Sequence, residues 1–177
     1  MSDFEQRLPL DRIRDGDRID LSADAEDCRA IADRLGLLSL GRLEAHAVLS
    51  RDGQEVRARG RLKAALEQAC VATGEPVPER VDEPFDLLFA PAPEGGATAD
   101  EEIELDSGDL DTIFHDGAAI DLGREIADTL ALAIDPYPRS AGAEAALKEA
   151  GVMSEEEAGP FAALASLKSR MDGGNAP

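Results

Sequence analysis

The clearest pattern in the sequence is a regular alternation of apolar and polar positions between residues 42 and 63. An Asp52-Gly53 pair divides it, and this dipeptide between two alternating segments is a strong signal for a two-residue β-turn. Pairing Arg51 with Gln54 across that turn brings apolar residues together on one face. The expected pairs are Leu49 with Val56, Ala47 with Ala58, Ala45 with Gly60, and Leu43 with Leu62. A slip of one residue would destroy this match, so the sequence predicts a long β-hairpin with one apolar face.

The other face of the predicted hairpin is basic. Its cross-strand pairs are Arg42 with Lys63, Glu44 with Arg61, His46 with Arg59, and Val48 with Arg57. A guanidinium group can bind phosphate through two hydrogen bonds and can stack on a base, so one interpretation is a surface that contacts phosphates. The alternative is a solvated sheet face whose arginines pair with acids from neighbouring strands. The hairpin itself offers no aromatic side chain on this face for base stacking.

Helical periodicity is found on both sides of the hairpin. Apolar positions at three- and four-residue spacing predict a helix over residues 25–35, capped by Ser22 or Asp24 and ended by Gly36. A second helix is predicted near residues 121–134, and the prolines that follow cannot continue it. The two helices are expected to flank the sheet.

The remaining apolar segments complete the predicted domain. Residues 18–23 read as a short strand, and residues 79–91 as a further strand that Pro84 limits to a sheet edge or a bulge. Apolar anchors are expected in the acidic stretch that follows, at Ile103, Leu105, Leu110, Ile113 and Phe114. The prediction is a single α+β domain over residues 1–139, with an antiparallel sheet built around the hairpin and flanked by helices.

The C-terminal region has a different composition. Residues 140–160 are rich in Ala, Glu and Gly and predict a tether, followed at 161–177 by a short amphipathic helix and a disordered end. The candidate partner-binding residues on this helix are Phe161, Leu164, Leu167 and Lys168. Its apolar face could dock on the domain or bind a groove in a partner, and both interpretations remain open.

Composition and charge narrow the class of partner. The chain has 177 residues, 43% of them hydrophobic but only 3% aromatic, so a core of Leu, Ile, Val and Ala is expected. The net charge of −20 repels nucleic acid at long range, and contact with RNA therefore requires a locally basic face; DNA is not an expected partner. The absence of a signal-like or membrane-length apolar run predicts a cytoplasmic protein without membrane association.

The residues that carry catalytic or metal chemistry are sparse. Two cysteines and two histidines are scattered at Cys28, His46, Cys70 and His115, whereas a zinc site needs about four closely arranged ligands. The acidic run from Asp100 to Asp116 lacks the ligand spacing of a calcium loop. We therefore expect no metal, no cofactor and no catalytic site, with Cys70 packing locally at the end of a strand.

The order of the segments resembles the YceD family, the large ribosomal RNA subunit accumulation proteins, in its alphaproteobacterial form. The resemblance runs from about Phe4 to Arg139 and is most specific in "QACVATGEPVPERVDEPFDLLF" and "IDLGREIADTLALAIDPYP"; "GPFAALASLK" resembles the C-terminal segment of the same branch. Many members carry a CxxC motif where this chain has Cys70 and Thr73, so a zinc or dithiol role is not carried over.

The resemblance implies a noncatalytic ribosome-biogenesis factor that supports accumulation or processing of large-subunit (23S-type) ribosomal RNA. Its partner would be a ribosomal RNA precursor or a large-subunit assembly intermediate. The candidate contacts to RNA or phosphate are Arg42, His46, Arg57, Arg59, Arg61 and Lys63. The alternative is an acidic adaptor that recruits a basic ribosomal protein or assembly factor through Asp100–Asp116 and the C-terminal helix, without touching RNA.

Overall fold

The computed structural model describes residue 4, residues 7–92 and residues 111–152. In chain order the strands are β1 (Leu8–Pro9), β2 (Arg18–Ser22), β3 (Ser39–Asp52), β4 (Glu55–Ala69), β5 (Pro76–Pro91), β6 (Asp111–His115) and β7 (Ala119–Ile120). The helices are α1 (Ala25–Leu35), α2 (Leu122–Ala133) and α3 (Ala143–Glu149), and a 3₁₀ turn spans Leu10–Arg12.

Five of these strands form the main sheet, in the order β2–β3–β4–β5–β6, and β1 pairs with β7 in a small second sheet. Neighbouring strands are antiparallel except β5 and β6, which run parallel. The β3–β4 hairpin lies at the centre of the main sheet. The predicted α+β class, with an antiparallel sheet built around a long hairpin, is confirmed.

The hairpin turn lies one residue later than predicted. Asp52 pairs with Glu55, which leaves Gly53 and Gln54 as the two central residues. Gly53 has a φ of 60°, and within the described ranges only glycines have a positive φ. Positive φ at the first central position alone is typical of a type II′ turn, so Asp52 avoids the strained left-handed conformation that the predicted turn required of it.

The predicted hairpin register was therefore wrong by two residues. Leu49 lies opposite Ala58 instead of Val56, and every pair down to Arg42 shifts in the same way. Because side chains alternate with a period of two, this shift leaves each residue on its predicted face. Near Leu40 a bulge changes the register once more.

The apolar face of the hairpin forms the centre of the core. Leu43, Leu49, Val56 and Leu62 are completely buried. The helix α1 packs against β3, while α2 packs against β4 and β5, so both helices cover this face. Burial of one leucine side chain is worth about 1.5–3 kcal/mol, and this set of residues therefore supplies much of the stability of the fold.

Both predicted helices are present. Asp24, rather than Ser22, caps α1, and it forms a reciprocal capping box with Asp27. Gly36 ends the helix, as predicted. The second helix, predicted near residues 121–134, begins after Asp121, whose side chain accepts a hydrogen bond from the Arg124 backbone N–H. Local periodicity and capping residues thus predict the first and last residues of both helices closely.

Pro84 lies at a sheet edge among the described residues, which is one of its two predicted placements. The strand β6 pairs with Leu87–Pro91, and within the described ranges the preceding part of β5 is paired with β4 alone. A proline offers no N–H to an approaching strand, and it therefore suits an open edge.

One of the apolar anchors predicted in the acidic stretch differs from the structure. Ile113 packs against the core as predicted, but Phe114 is 60% exposed, so the prediction of an apolar anchor there was wrong. Neighbouring residues of β6 point to opposite faces of the sheet, and only one of the two can reach the core. The helix α3 lies in the segment predicted as a tether, and the part of that segment beyond residue 152 lies outside the described residues, as do the expected anchors Ile103, Leu105 and Leu110.

Candidate nucleic-acid interface

The candidate site is the outer face of the main sheet, which we define as the face opposite α1 and α2. All six predicted contact residues lie on it: Arg42, His46, Arg57, Arg59, Arg61 and Lys63. The strand β4 supplies four of them at successive outward positions, from Arg57 to Lys63. We call these four residues the basic row. In a chain of net charge −20, four consecutive outward positions thus carry positive charge.

The corrected register changes the neighbours of the basic row. His46 lies opposite Arg61, Val48 opposite Arg59, and Glu44 opposite Lys63. Arg42 lies opposite Ala65, and its guanidinium is 3.9 Å from the carboxylate of Glu44 on its own strand. The predicted residues therefore share one face, but Arg42 stands apart from the basic row.

The strand β5 places two aspartates beside the basic row. Arg57 donates two hydrogen bonds to Asp86, from Nε to Oδ1 at 2.7 Å and from Nη2 to Oδ2 at 2.8 Å. Arg59 Nε donates to the same carboxylate at 3.0 Å. Of the two interpretations of the basic face, the pairing with acids from a neighbouring strand is what the geometry of these residues shows.

The other two members of the basic row share the second aspartate. Arg61 Nε donates to Asp82 Oδ1, and Lys63 Nζ lies 3.8 Å from Asp82 Oδ2. Each aspartate thus serves two cations, one closely and one more loosely. These contacts order the basic row without using all of its donors, because each aspartate is shared by two cations. The outer face also carries Glu44, opposite Lys63, and Asp20 on β2, opposite His46.

The ion pairs also fix the protonation state of the aspartates. The Arg57 hydrogen bonds hold the pKa of the Asp86 carboxyl below its usual value, and the Arg61 hydrogen bond does the same to the pKa of Asp82. Because both folded-state pKa values are lowered, the stabilisation is present above the ordinary aspartate pKa of about 3.9 and is lost as the pH falls through the lower folded values. Both carboxylates are therefore charged at neutral pH.

Sequence reasoning missed two further basic residues of the outer face. Arg18 on β2 lies opposite Val48, and Arg80 on β5 lies opposite Ala65. Neither residue could be placed from the hairpin alone. The strand β2 is separated from the hairpin by α1, and β5 follows β4 after a turn of several residues, so the sequence did not show how either strand pairs with the hairpin. The two arginines add positive charge on both sides of the hairpin, although Asp20 on β2 lies on the same face, opposite His46.

His115 also has partners that the sequence did not reveal. Its ring is buried, and its Nδ1 accepts a hydrogen bond from the Gly117 backbone N–H at 3.0 Å. The other ring nitrogen, Nε2, therefore carries the proton and donates to the Gln54 carbonyl at 2.9 Å. His115 thus ties β6 to the hairpin turn, which is a structural role.

Cys70 lies buried just after the end of β4, in a small hydrogen-bond cluster. The Ser140 backbone N–H donates to its Sγ at 3.3 Å. The hydroxyls of Thr73 and Ser140 both donate to Glu75 Oε2, at 3.1 and 2.9 Å. This cluster joins the β4–β5 turn to the segment after α2. Within the described ranges, no group of three or more His, Cys, Asp or Glu side chains could hold a metal ion.

The two cysteines are expected to titrate very differently. The Ser140 backbone N–H lowers the pKa of the Cys70 thiol to about 6, whereas burial raises the pKa of Cys28. In a Cys28→Ala variant, we expect thiolate absorbance at 240 nm to rise near pH 6. A Cys70→Ala variant should show a rise only above the ordinary thiol range, because burial raises the pKa of Cys28. A first step near the ordinary thiol pKa of about 8.5 in Cys28→Ala would contradict the prediction.

The predicted partner-binding residues Phe161, Leu164, Leu167 and Lys168 lie outside the described residues, as does most of the acidic run. In the part of the chain that the structure describes, no helix has the length and apolar character needed to cross a membrane. Of the two predicted sets of contact residues, only the one on the outer face of the main sheet lies within the described residues.

The fold and this face define a small α+β protein with an exposed, charged sheet surface. The protein-family model described as "Large ribosomal RNA subunit accumulation protein YceD" matches residues 58–168, so the chain belongs to the YceD family. The matched span begins in β4 and includes three residues of the basic row, Arg59, Arg61 and Lys63. Comparison with curated proteins gives no match, and comparison with solved structures gives none either. The family name connects the chain with large-subunit ribosomal RNA.

Proposed function

We propose that this chain is a noncatalytic, cytoplasmic factor that supports accumulation or processing of large-subunit (23S-type) ribosomal RNA. It binds a precursor RNA or a large-subunit assembly intermediate through the outer face of its sheet. The observation that carries this proposal is the basic row, four cations at successive outward positions of β4 in a chain of net charge −20. Family membership supplies the class of RNA.

The aspartate pairing leaves the basic row able to bind phosphate. A guanidinium has five N–H donors, and Arg59 directs only its Nε to Asp86. The side chains of Arg59 and Lys63 are 60% and 52% exposed, and their free donors are open to solvent. A phosphate can therefore be bound by the looser partner of each aspartate without breaking the tighter pair.

The test removes those two looser partners. In an Arg59→Gln/Lys63→Gln variant, Asp86 keeps Arg57 and Asp82 keeps Arg61, so no carboxylate is left without its principal partner. If each lost residue neutralises one phosphate, RNA affinity should fall roughly 30-fold at 0.1 M salt. We expect the variant to leave the precursor particles in a sucrose gradient, and UV crosslinks between β4 and RNA to disappear.

The control removes two exposed cations elsewhere, in an Arg29→Gln/Lys148→Gln variant on α1 and α3. It changes the net charge equally and should sediment like the wild type. Equal sedimentation of wild type and Arg59→Gln/Lys63→Gln would remove the outer face from the proposal. Particle association without any RNA crosslink would favour the adaptor hypothesis, in which a basic ribosomal protein is the partner.

A further inference from the structure

Aromatic side chains are rare in this chain, and one of them is exposed on the outer face. The sequence contains five Phe and one Tyr. Phe85 and Phe89 are buried in the core, but Phe114 on β6 is 60% exposed. Its neighbour Ile113 occupies the inward position and packs on the core, so Phe114 is not needed to fill the interior.

The sheet places Phe114 beside the basic row. Phe114 pairs with Ala90 on β5, and the next outward residue of β5, Leu88, pairs with Arg57 on β4. Strands are spaced about 4.8 Å apart, so Phe114 and Arg57 lie on strands about 10 Å apart, with Leu88 between them. The face therefore combines a line of cations with an exposed ring at its edge.

We propose that Phe114 is a base-stacking residue for single-stranded RNA whose backbone follows the basic row. This inference rests on the proposed function, and it specifies which form of RNA the face takes. Surfaces that bind single strands combine a basic track for the backbone with aromatic rings on which the bases stack. A ring stacks on any base, so the contact is tolerant of sequence.

An unpaired strand is the form of RNA that fits this arrangement. The bases of a double helix are stacked on each other, so their faces are not available to a side chain on the surface of a sheet. Leu88 extends the apolar surface between the ring and the cations. A base turned towards β6 would cover Phe114 while its phosphate stays above β4.

The test measures binding of fluorescein-labelled ten-nucleotide oligouridine, oligoadenosine and a ten-base-pair RNA duplex. We expect Phe114→Ala to weaken binding of both single strands about five- to tenfold, and Phe114→Trp to retain it. Phe114→Leu keeps the apolar bulk without the aromatic face and should bind like the alanine variant. Because the ring is exposed, thermal unfolding of all three variants should match the wild type.

The control is Tyr137→Ala, which removes the other exposed aromatic side chain of the described ranges. Tyr137 precedes Pro138, whose carbonyl accepts a hydrogen bond from Val71 N–H near the far end of β4. It lies away from Phe114 and should bind RNA like the wild type.

Each remaining outcome would overturn the inference. Unchanged affinity in Phe114→Ala, with binding still lost in Arg59→Gln/Lys63→Gln, would leave phosphate contact as the whole interaction. Full affinity in Phe114→Leu would indicate an apolar contact rather than stacking. Loss of particle association in Phe114→Ala without any change in oligonucleotide affinity would assign the ring to a protein partner. A wild-type protein that binds none of the three RNAs would also remove direct RNA contact from the proposed function.

Discussion

Replacing Gly60 by alanine is expected to destabilise the protein by about 3 kcal/mol or more, at or above the usual range for overpacking a core. Gly60 lies in the middle of β4, between Ala47 on β3 and Phe85 on β5. A Cβ at this position would lie 1.9 Å from the His46 carbonyl oxygen and 2.8 Å from the Phe85 ring. The carbonyl belongs to the sheet backbone, so relief requires the central hairpin itself to move.

The matched control is Gly41→Ala in the same hairpin. A Cβ there would meet only the Ala65 carbonyl oxygen, at an ordinary 3.6 Å, so its effect should stay within about 0.5 kcal/mol. Urea denaturation followed by circular dichroism gives both free energies of unfolding. Since natural domains are stable by only about 5–15 kcal/mol, Gly60→Ala should lower the midpoint strongly. Equal midpoints for the two variants would show that the strands can separate at Gly60 at little cost.

Features set by local periodicity could be predicted from the sequence. The helix α1 was predicted over residues 25–35, and the structure gives the same bounds, because spacing, Asp24 and Gly36 all act within one short segment. The two faces of the hairpin were also correct, since alternation with a period of two fixes them even when the register is not known. The register depended on which two residues form the centre of the turn. The Asp52-Gly53 dipeptide placed both of its residues there, but only Gly53 takes a positive φ in the structure.

Features set by strand neighbours could not be predicted. The aspartates that pair with the basic row lie on β5. The segment "ERVDEPFD" does not by itself show that Asp82 and Asp86 lie on the same face of the sheet as the basic row. Phe114 was misplaced for a related reason. Its strand is short and parallel, and two adjacent apolar residues give no alternation from which the inward one can be identified.

Neutralising the two aspartates is expected to strengthen RNA binding, which is the opposite of what removing the cations does. In an Asp82→Asn/Asp86→Asn variant, the four cations of the basic row lose the carboxylates that they contact on β5, and the donors directed to those carboxylates become available to phosphates. Each additional phosphate contact should raise affinity roughly five- to eightfold at 0.1 M salt, and the dependence of affinity on salt should become steeper. The exposed pairs of Asp82 should contribute only about 0.2–1 kcal/mol each. The Arg57–Asp86 pair is bidentate and partly buried, so most of the cost in stability is expected from Asp86→Asn.

The control for this variant is Glu26→Gln/Asp33→Asn on α1, which removes the same two negative charges from exposed positions away from the outer face. A general loss of repulsion would strengthen binding equally in both variants, whereas local competition for the basic row predicts a gain only with Asp82→Asn/Asp86→Asn. Fluorescence anisotropy at several salt concentrations distinguishes the two. If the outer-face variant binds more weakly than the wild type, the aspartates hold the arginines in place for RNA rather than compete with it. The ion pairs would then be part of the binding surface itself.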